Sequence, residues 1–179
     1  MRIVSCILGV ALLASAGSAQ TRNREVTENK LSPAAETSMK LQGLGITIEY
    51  SAPSARGREV EGGLIPYDRW WRLGADAATT LTTETDVMIG DLRVSKGVYT
   101  LYLVAKPDEW KLVVNKQTGQ WGTTYSESED LGRVPVKLTR FAQPVETLTI
   151  KLASSGKPEG TLTITWGRTL ASVPVKLAR

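Results

Sequence analysis

The segment PYDRWWRLGADAATTLTT, residues 66–83, crowds Tyr67, Trp70, Trp71, Arg72 and Asp76 into one short stretch and runs on into threonines. Just upstream, Arg56 and Arg58 flank Gly57. Guanidinium groups are planar forks that fit carboxylate or phosphate, and indole or phenol rings give a stacking face. Arg56, Arg58, Tyr67, Trp71, Arg72 and Asp76, joined by Thr79 and Thr80, therefore make a first candidate site. A cleft of this mixture suits a sugar, a peptide or a small anion. The same residues also have an ordinary structural use. Arg72 can pair with a carboxylate, Asp76 can cap a turn, and Trp71 can fill the end of a β-structure.

A second candidate is NKQTGQWGTTYSESED, residues 115–130. Asn115 falls on the strand face opposite to Trp110, and Trp121 and Tyr125 lie on the loop that follows. This reads either as a ligand-facing lid with an aromatic platform or as a packed loop whose indole covers the sheet. The acidic trio Glu127, Glu129 and Asp130 could supply oxygen ligands to calcium, but its spacing fits no calcium loop and a solvated acidic loop is expected instead. Asp76 with Glu49 or Glu84 could form a carboxylate pair for acid–base work, although no spacing in the chain sets their separation.

Other chemistries are ruled out by composition. The chain has no His, and its single Cys is Cys6. Cys6 lies in MRIVSCILGVALLASAGSAQ, which reads as a secretory signal: Arg2 starts it, an apolar stretch follows, and small residues permit cleavage after Ala19. A mature chain starting at Gln20 would have neither thiol nor imidazole. It could build no Ser-His-Asp triad, no Cys-His pair, no haem ligation and no His/Cys zinc site. No cofactor and no metal is expected. Loss of Arg2 leaves 21 basic against 18 acidic residues, a net charge of +3. The charges are well mixed, with no basic block that would track a nucleic-acid backbone. An anionic polymer or surface stays open as a partner. No second long apolar run follows the signal, so no integral membrane span is expected after cleavage.

The elements that must hold these residues are mostly strands. Residues 20–38 are polar and aperiodic, and read as a flexible leader. From Met39 the pattern has period two. GITIEYS, WKLVVNK, TLTIKLA and TLTITWG each alternate apolar with polar side chains, as half-buried antiparallel strands do. VYTLYLVA, residues 98–105, is apolar on both faces and belongs at the centre of a sheet. Turn signals at Gly90-Asp91, Ser95 to Gly97, Lys106 to Asp108, Lys116 to Gly119 and Ser154 to Gly160 separate the runs. The expectation is an all-β, jelly-roll-like antiparallel β-sandwich of about eight strands over residues 39–179, with a closed barrel as the alternative. One short helix is expected near residues 66–73. Pro66 suits its first position and Gly74 its end. Such a helix would group Tyr67, Trp70 and Trp71, pair Asp68 with Arg72, and leave Tyr67 and Trp70 as the plug. Arg72 and Asp76 would then line a pocket near Trp121.

The order Pro53-x-x-x-Gly57-Arg58, Pro66-Tyr67-x-x-x-Trp71-Arg72-x-Gly74-Ala75, Ala78-Thr79-Thr80, Gly97-x-Tyr99-x-Leu101 and Trp121-Gly122-x-x-Tyr125 resembles a bacterial family of unknown function, DUF2911. The resemblance spans about residues 39–175. It implies an exported, β-rich domain and no established activity. Relatives commonly carry Gly-Ala-Asn where this chain has Gly74-Ala75-Asp76. Asp adds a charge and loses an amide donor, which would alter ligand preference if the position touches a ligand. The leading functional reading is a periplasmic or secreted, non-enzymatic binding module for a small polar ligand, glycan or peptide. The alternatives are a carboxylate-based hydrolase of envelope or extracellular polymers, or a structural domain that pairs a sheet edge with a partner.

Overall fold

Alternating side chains become strand almost everywhere they occur. A computed structural model of the chain describes residues 31–179. The signal, and residues 20–30 of the leader, lie outside the described residues. The strands are β1 (Ala34–Leu41), β2 (Leu44–Ser51), β3 (Trp70–Trp71), β4 (Thr79–Thr83), β5 (Val87–Ile89), β6 (Leu92–Val94), β7 (Gly97–Ala105), β8 (Trp110–Asn115), β9 (Asp130–Lys157) and β10 (Glu159–Leu177). They form one antiparallel sheet in the order β1-β2-β4-β7-β8-β9-β10-β5-β6, with β3 added beside β7.

The sheet folds over itself along its longest strand. Residues 130–136 of β9 pair with β8, and most of the remainder pairs with β10. Ile46, Ile48, Leu81, Leu101, Leu103 and Leu112 of one half then share a core with Ile150, Leu162, Ile164, Trp166 and Val173 of the other. Cross-links between the halves are polar as well: the Tyr50 hydroxyl accepts the Ile150 N–H at 3.1 Å, and Thr37 Oγ1 accepts the Leu152 N–H at 3.0 Å. The strand path ends at β1 and β6 without their pairing, so the sheet is an open sandwich and not a barrel. As its two apolar faces require, β7 is central, between β4 and β8.

Three sequence expectations change. The sheet starts at Ala34, so residues 34–38, read as leader, are strand: β1 pairs with β2 from Ala34↔Ser51 to Leu41↔Leu44. Among the described residues there are ten strands instead of about eight. Residues 66–73 form no helix. Tyr67 bridges Ala105, Asp68 takes a left-handed φ of 56°, and Trp70 and Trp71 pair as β3 with Val104 and Leu103. Backbone donors and acceptors left open on the edge of β7 satisfy this segment better than an isolated turn of helix would.

Pairing on β7 also creates an irregular stretch beside it. Along one edge of β7, β4 covers residues 97–101 and β3 covers 103–104. The connection from 72 to 78 leaves the sheet between them. Leu73 and Asp76 within it adopt left-handed φ values of 55° and 58°.

Candidate functional site

The connection 72–78 and the loop 53–58 face each other around a cavity of about 390 Å³. Its lining includes Arg56, Arg58, Trp71, Arg72 and Asp76, five residues of the first candidate set, together with Trp166 from β10. Trp71 is buried and stacks on Trp166 with ring centroids 5.6 Å apart and planes at 21°. The stacked indoles make the floor an extension of the core.

The arginines are held but not saturated. Arg56 Nη2 donates to the Leu31 carbonyl at 3.0 Å. Arg58 Nε and Nη2 donate to the Ala55 and Ser54 carbonyls, both at 2.9 Å. Most of their N–H donors have no acceptor among the described residues. Arg72 Nε is buried and has no acceptor among the described residues. An unmet buried donor costs about 1–3 kcal/mol, more when charged. The loop that carries Trp121 braces this part of the site. Gly122 N–H donates to the Asp76 carbonyl at 3.0 Å, and Ala77 bridges Trp121. A Cβ on Gly122 would lie 2.4 Å from both Arg72 Cδ and the Asp76 carbonyl oxygen, so only glycine fits there.

Other candidates fall elsewhere. Thr79 is fully buried and its Oγ1 donates to the Leu73 carbonyl at 2.9 Å, which fixes the connection from below. The Thr80 hydroxyl reaches only the Ala78 carbonyl, at 3.4 Å. Trp121 is 59 % exposed and lines neither this cavity nor its neighbour. Asp68 and Arg72 are not brought together as the helical spacing required, because the segment is extended. Glu49 and Glu84 do not line the cavity with Asp76; Glu84 Oε2 instead accepts the Gly45 N–H at 2.6 Å.

Asn115 and Tyr125 organise the opposite face of β7. Asn115 is fully buried; its Nδ2 donates to the Ser126 carbonyl and to Asp130 Oδ1, both at 2.9 Å, and its Oδ1 accepts Gln117 N–H at 3.0 Å. Tyr125, Trp70 and Tyr102 pack ring on ring with centroids 4.9–5.7 Å apart. Strand alternation explains the split of the two tryptophans: a strand sends Trp70 to one face and Trp71 to the other, where a helix would have kept them together. The acidic trio is engaged by cations. Arg133 binds Glu127 and Asp130 at 2.6 and 3.0 Å, and Lys116 lies 3.8 Å from Glu129.

Burial pushes the Tyr125 hydroxyl up to about 12, helped by its hydrogen bond to Asp130 and opposed by Arg133. The fold favours the neutral phenol, so this contribution is intact below the ordinary value near 10 and is lost as pH rises through about 12. Phenolate absorbance of wild type minus that of Tyr125→Phe should give a single step near 12. A difference step at the ordinary value would show the hydroxyl to be unshielded.

A second cavity, of about 570 Å³, adjoins the first and shares Arg58 with it. It sits where β9 and β10 lose register, around Arg140 to Val145 opposite Gly167. Bulges commonly re-aim side chains at sites in this way. Tyr67, Phe141, Arg140, Arg168, Glu61 and Glu146 reach it. Sequence reasoning passed over all of these except Tyr67. The available signals were Gln143-Pro144 inside a strand-like run and Gly167 breaking the alternation after Trp166.

These features define an open antiparallel β-sandwich with an arginine-lined cavity at a lapse in strand pairing. The chain belongs to DUF2911, a family described as proteins of unknown function, whose model matches residues 32–175. Neither a curated protein nor a solved structure matches it.

Proposed function

We propose that this protein is an exported, non-catalytic binding module that takes a small acidic ligand, such as a sugar acid or a carboxylate-bearing peptide end, in the Arg56–Arg58–Arg72 cavity. The observation that carries this reading is that three arginines line one cavity and make only three side-chain hydrogen bonds among the described residues. Backbone strain agrees with it. Arg56 and Leu73 hold φ values of 51° and 55°, a region that costs an L-residue about 1–2 kcal/mol unless it is Asn or Asp. Such conformations persist where surrounding structure enforces them, and they cluster at ligand clamps. Asp76, at φ 58°, is of the tolerant kind.

Calorimetry with glucuronate, galacturonate, succinate and a dipeptide tests it. At least one should bind wild type, and Arg72→Ala should weaken that binding about 10- to 100-fold, the worth of a charge-assisted hydrogen bond. The variant's Tm should stay within a few degrees of wild type. Binding untouched by Arg72→Ala, or an unfolded Arg72→Ala protein, would make the arginine structural and overturn the reading.

A further inference from the structure

We infer that the two cavities are subsites of one groove and that its ligand is an acid carrying an apolar body, aromatic or acyl, which lies in the larger cavity. The inference rests on the acidic-ligand reading of the smaller cavity and names the class of ligand. The two cavities meet at Arg58, which lines both. Their chemistry is unequal. The smaller holds three arginines against one aspartate.

The larger holds charges of both signs; several of these are bonded within the protein, while Glu59 on the same lining is exposed. Glu61 Oε1 accepts the Arg168 N–H at 2.8 Å and the Thr169 hydroxyl at 2.7 Å. Glu146 Oε1 accepts the Arg56 N–H at 2.7 Å. Arg140 donates to Thr169 and to the Pro107 carbonyl, and Arg168 to the Ala142 carbonyl. Beside these groups the cavity offers apolar wall.

Phe141 and Val145 mark that wall. Phe141 is the only phenylalanine in the chain. Both side chains are half-buried, yet neither joins the hydrophobic core or packs against it. An aromatic ring placed on a cavity and outside the core has apolar area to offer a ligand. The volume, about 570 Å³, is within the span of small-molecule pockets.

The test is a series of linear carboxylates, acetate, butyrate, hexanoate and octanoate, with 3-phenylpropionate, titrated into the folded protein. Affinity should rise about three- to fourfold per added methylene, on the order of a hundredfold from butyrate to octanoate. Phe141→Asp and, separately, Val145→Asp should flatten this dependence, read as the slope within each variant's own series. Arg72→Ala should weaken every acid by the same factor and leave the chain-length slope intact. A flat series in wild type overturns the apolar subsite while the acidic one stands. A slope that survives in both folded aspartate variants overturns it too. Binding of 1-octanol as tight as that of octanoate would overturn the claim of a single ligand. If no acid of this series binds while glucuronate, galacturonate, succinate or the dipeptide does, this inference falls and the reading of the smaller cavity stands; if none of them binds, both fall.

Discussion

Trp71→Ala is expected to destabilise the domain by about 3–5 kcal/mol, the usual cost of removing a large buried aromatic side chain. Trp71 is 8 % exposed and stacked on Trp166, which is itself 2 % exposed. Its removal opens a void between β3 and β10, the only two strands that contribute indoles to this contact, and the Trp166 ring loses its partner. For a domain of this length the Tm should fall by roughly 10 °C or more. Trp70→Ala should cost less. Trp70 is half-buried and rests on Tyr102 and Tyr125 at the outer face of β7, where each ring contact adds about 0.5–1.5 kcal/mol beyond area burial. Thermal melts of the two single variants rank them. An equal or larger loss in Trp70→Ala would mean that the outer aromatic cluster, and not the sandwich core, anchors this segment.

The contrast between these neighbours shows what could be read in the chain and what could not. Alternation in GITIEYS, TLTIKLA and TLTITWG is a local signal, and it correctly points Ile46, Ile48, Leu148, Ile150, Leu162 and Ile164 into the core. Residues 66–73 carry no such signal. Pro66, the i, i+3, i+4 aromatics and Gly74 are all compatible with a helix. What decides their conformation is distant: the stretch of β7 edge beyond Leu101 that β4 leaves unpaired. Residues 34–38 were obscured in the same way, because β1 owes its pairing to β2 and has few buried side chains of its own.

The candidate site divides along similar lines. Residue type was enough to bring Arg56, Arg58, Trp71, Arg72 and Asp76 to attention, since forks and rings are recognisable wherever they fold. It was not enough for Phe141, Arg140 or Glu61. Their approach depends on the register shift between β9 and β10, a three-dimensional event with only Pro144 and Gly167 as traces. Thr79 is the opposite case. A threonine in a run of threonines looked available for ligand, and it is fully buried as a strut beneath Leu73.

A strut of larger consequence is Asn115. Asn115→Ala is expected to cost several kcal/mol and to loosen the loop over residues 116–126. One amide satisfies three partners on that loop and at its exit: the Gln117 N–H, the Ser126 carbonyl and Asp130. With the side chain gone, the part-buried Gln117 N–H loses its partner, at about 1–3 kcal/mol, and the Ser126 carbonyl keeps only the Glu129 N–H. Asp130 keeps the Tyr125 hydroxyl at 2.8 Å and Arg133 at 3.0 Å, so the far end of the network should hold. The near end should not. Gln120 Nε2 bonds the Thr100 and Tyr102 hydroxyls at 3.0 and 2.9 Å, contacts that need the loop in place. Two residues further on, Gly122 is the brace against Arg72 and Asp76. Loosening the loop should therefore reach the cavity although Asn115 does not line it. Amide exchange of residues 117–124 should accelerate in Asn115→Ala before the rest of the sheet opens, and acid binding should weaken without any change in the arginines. Asn115→Asp keeps the acceptor for the Gln117 N–H and loses both donors, setting a second carboxylate beside Asp130; it should be at least as damaging. If loop exchange stayed at the wild-type rate in a folded Asn115→Ala protein, the loop would be held by its own packing, and Gly122 would brace the site without help from across the sheet.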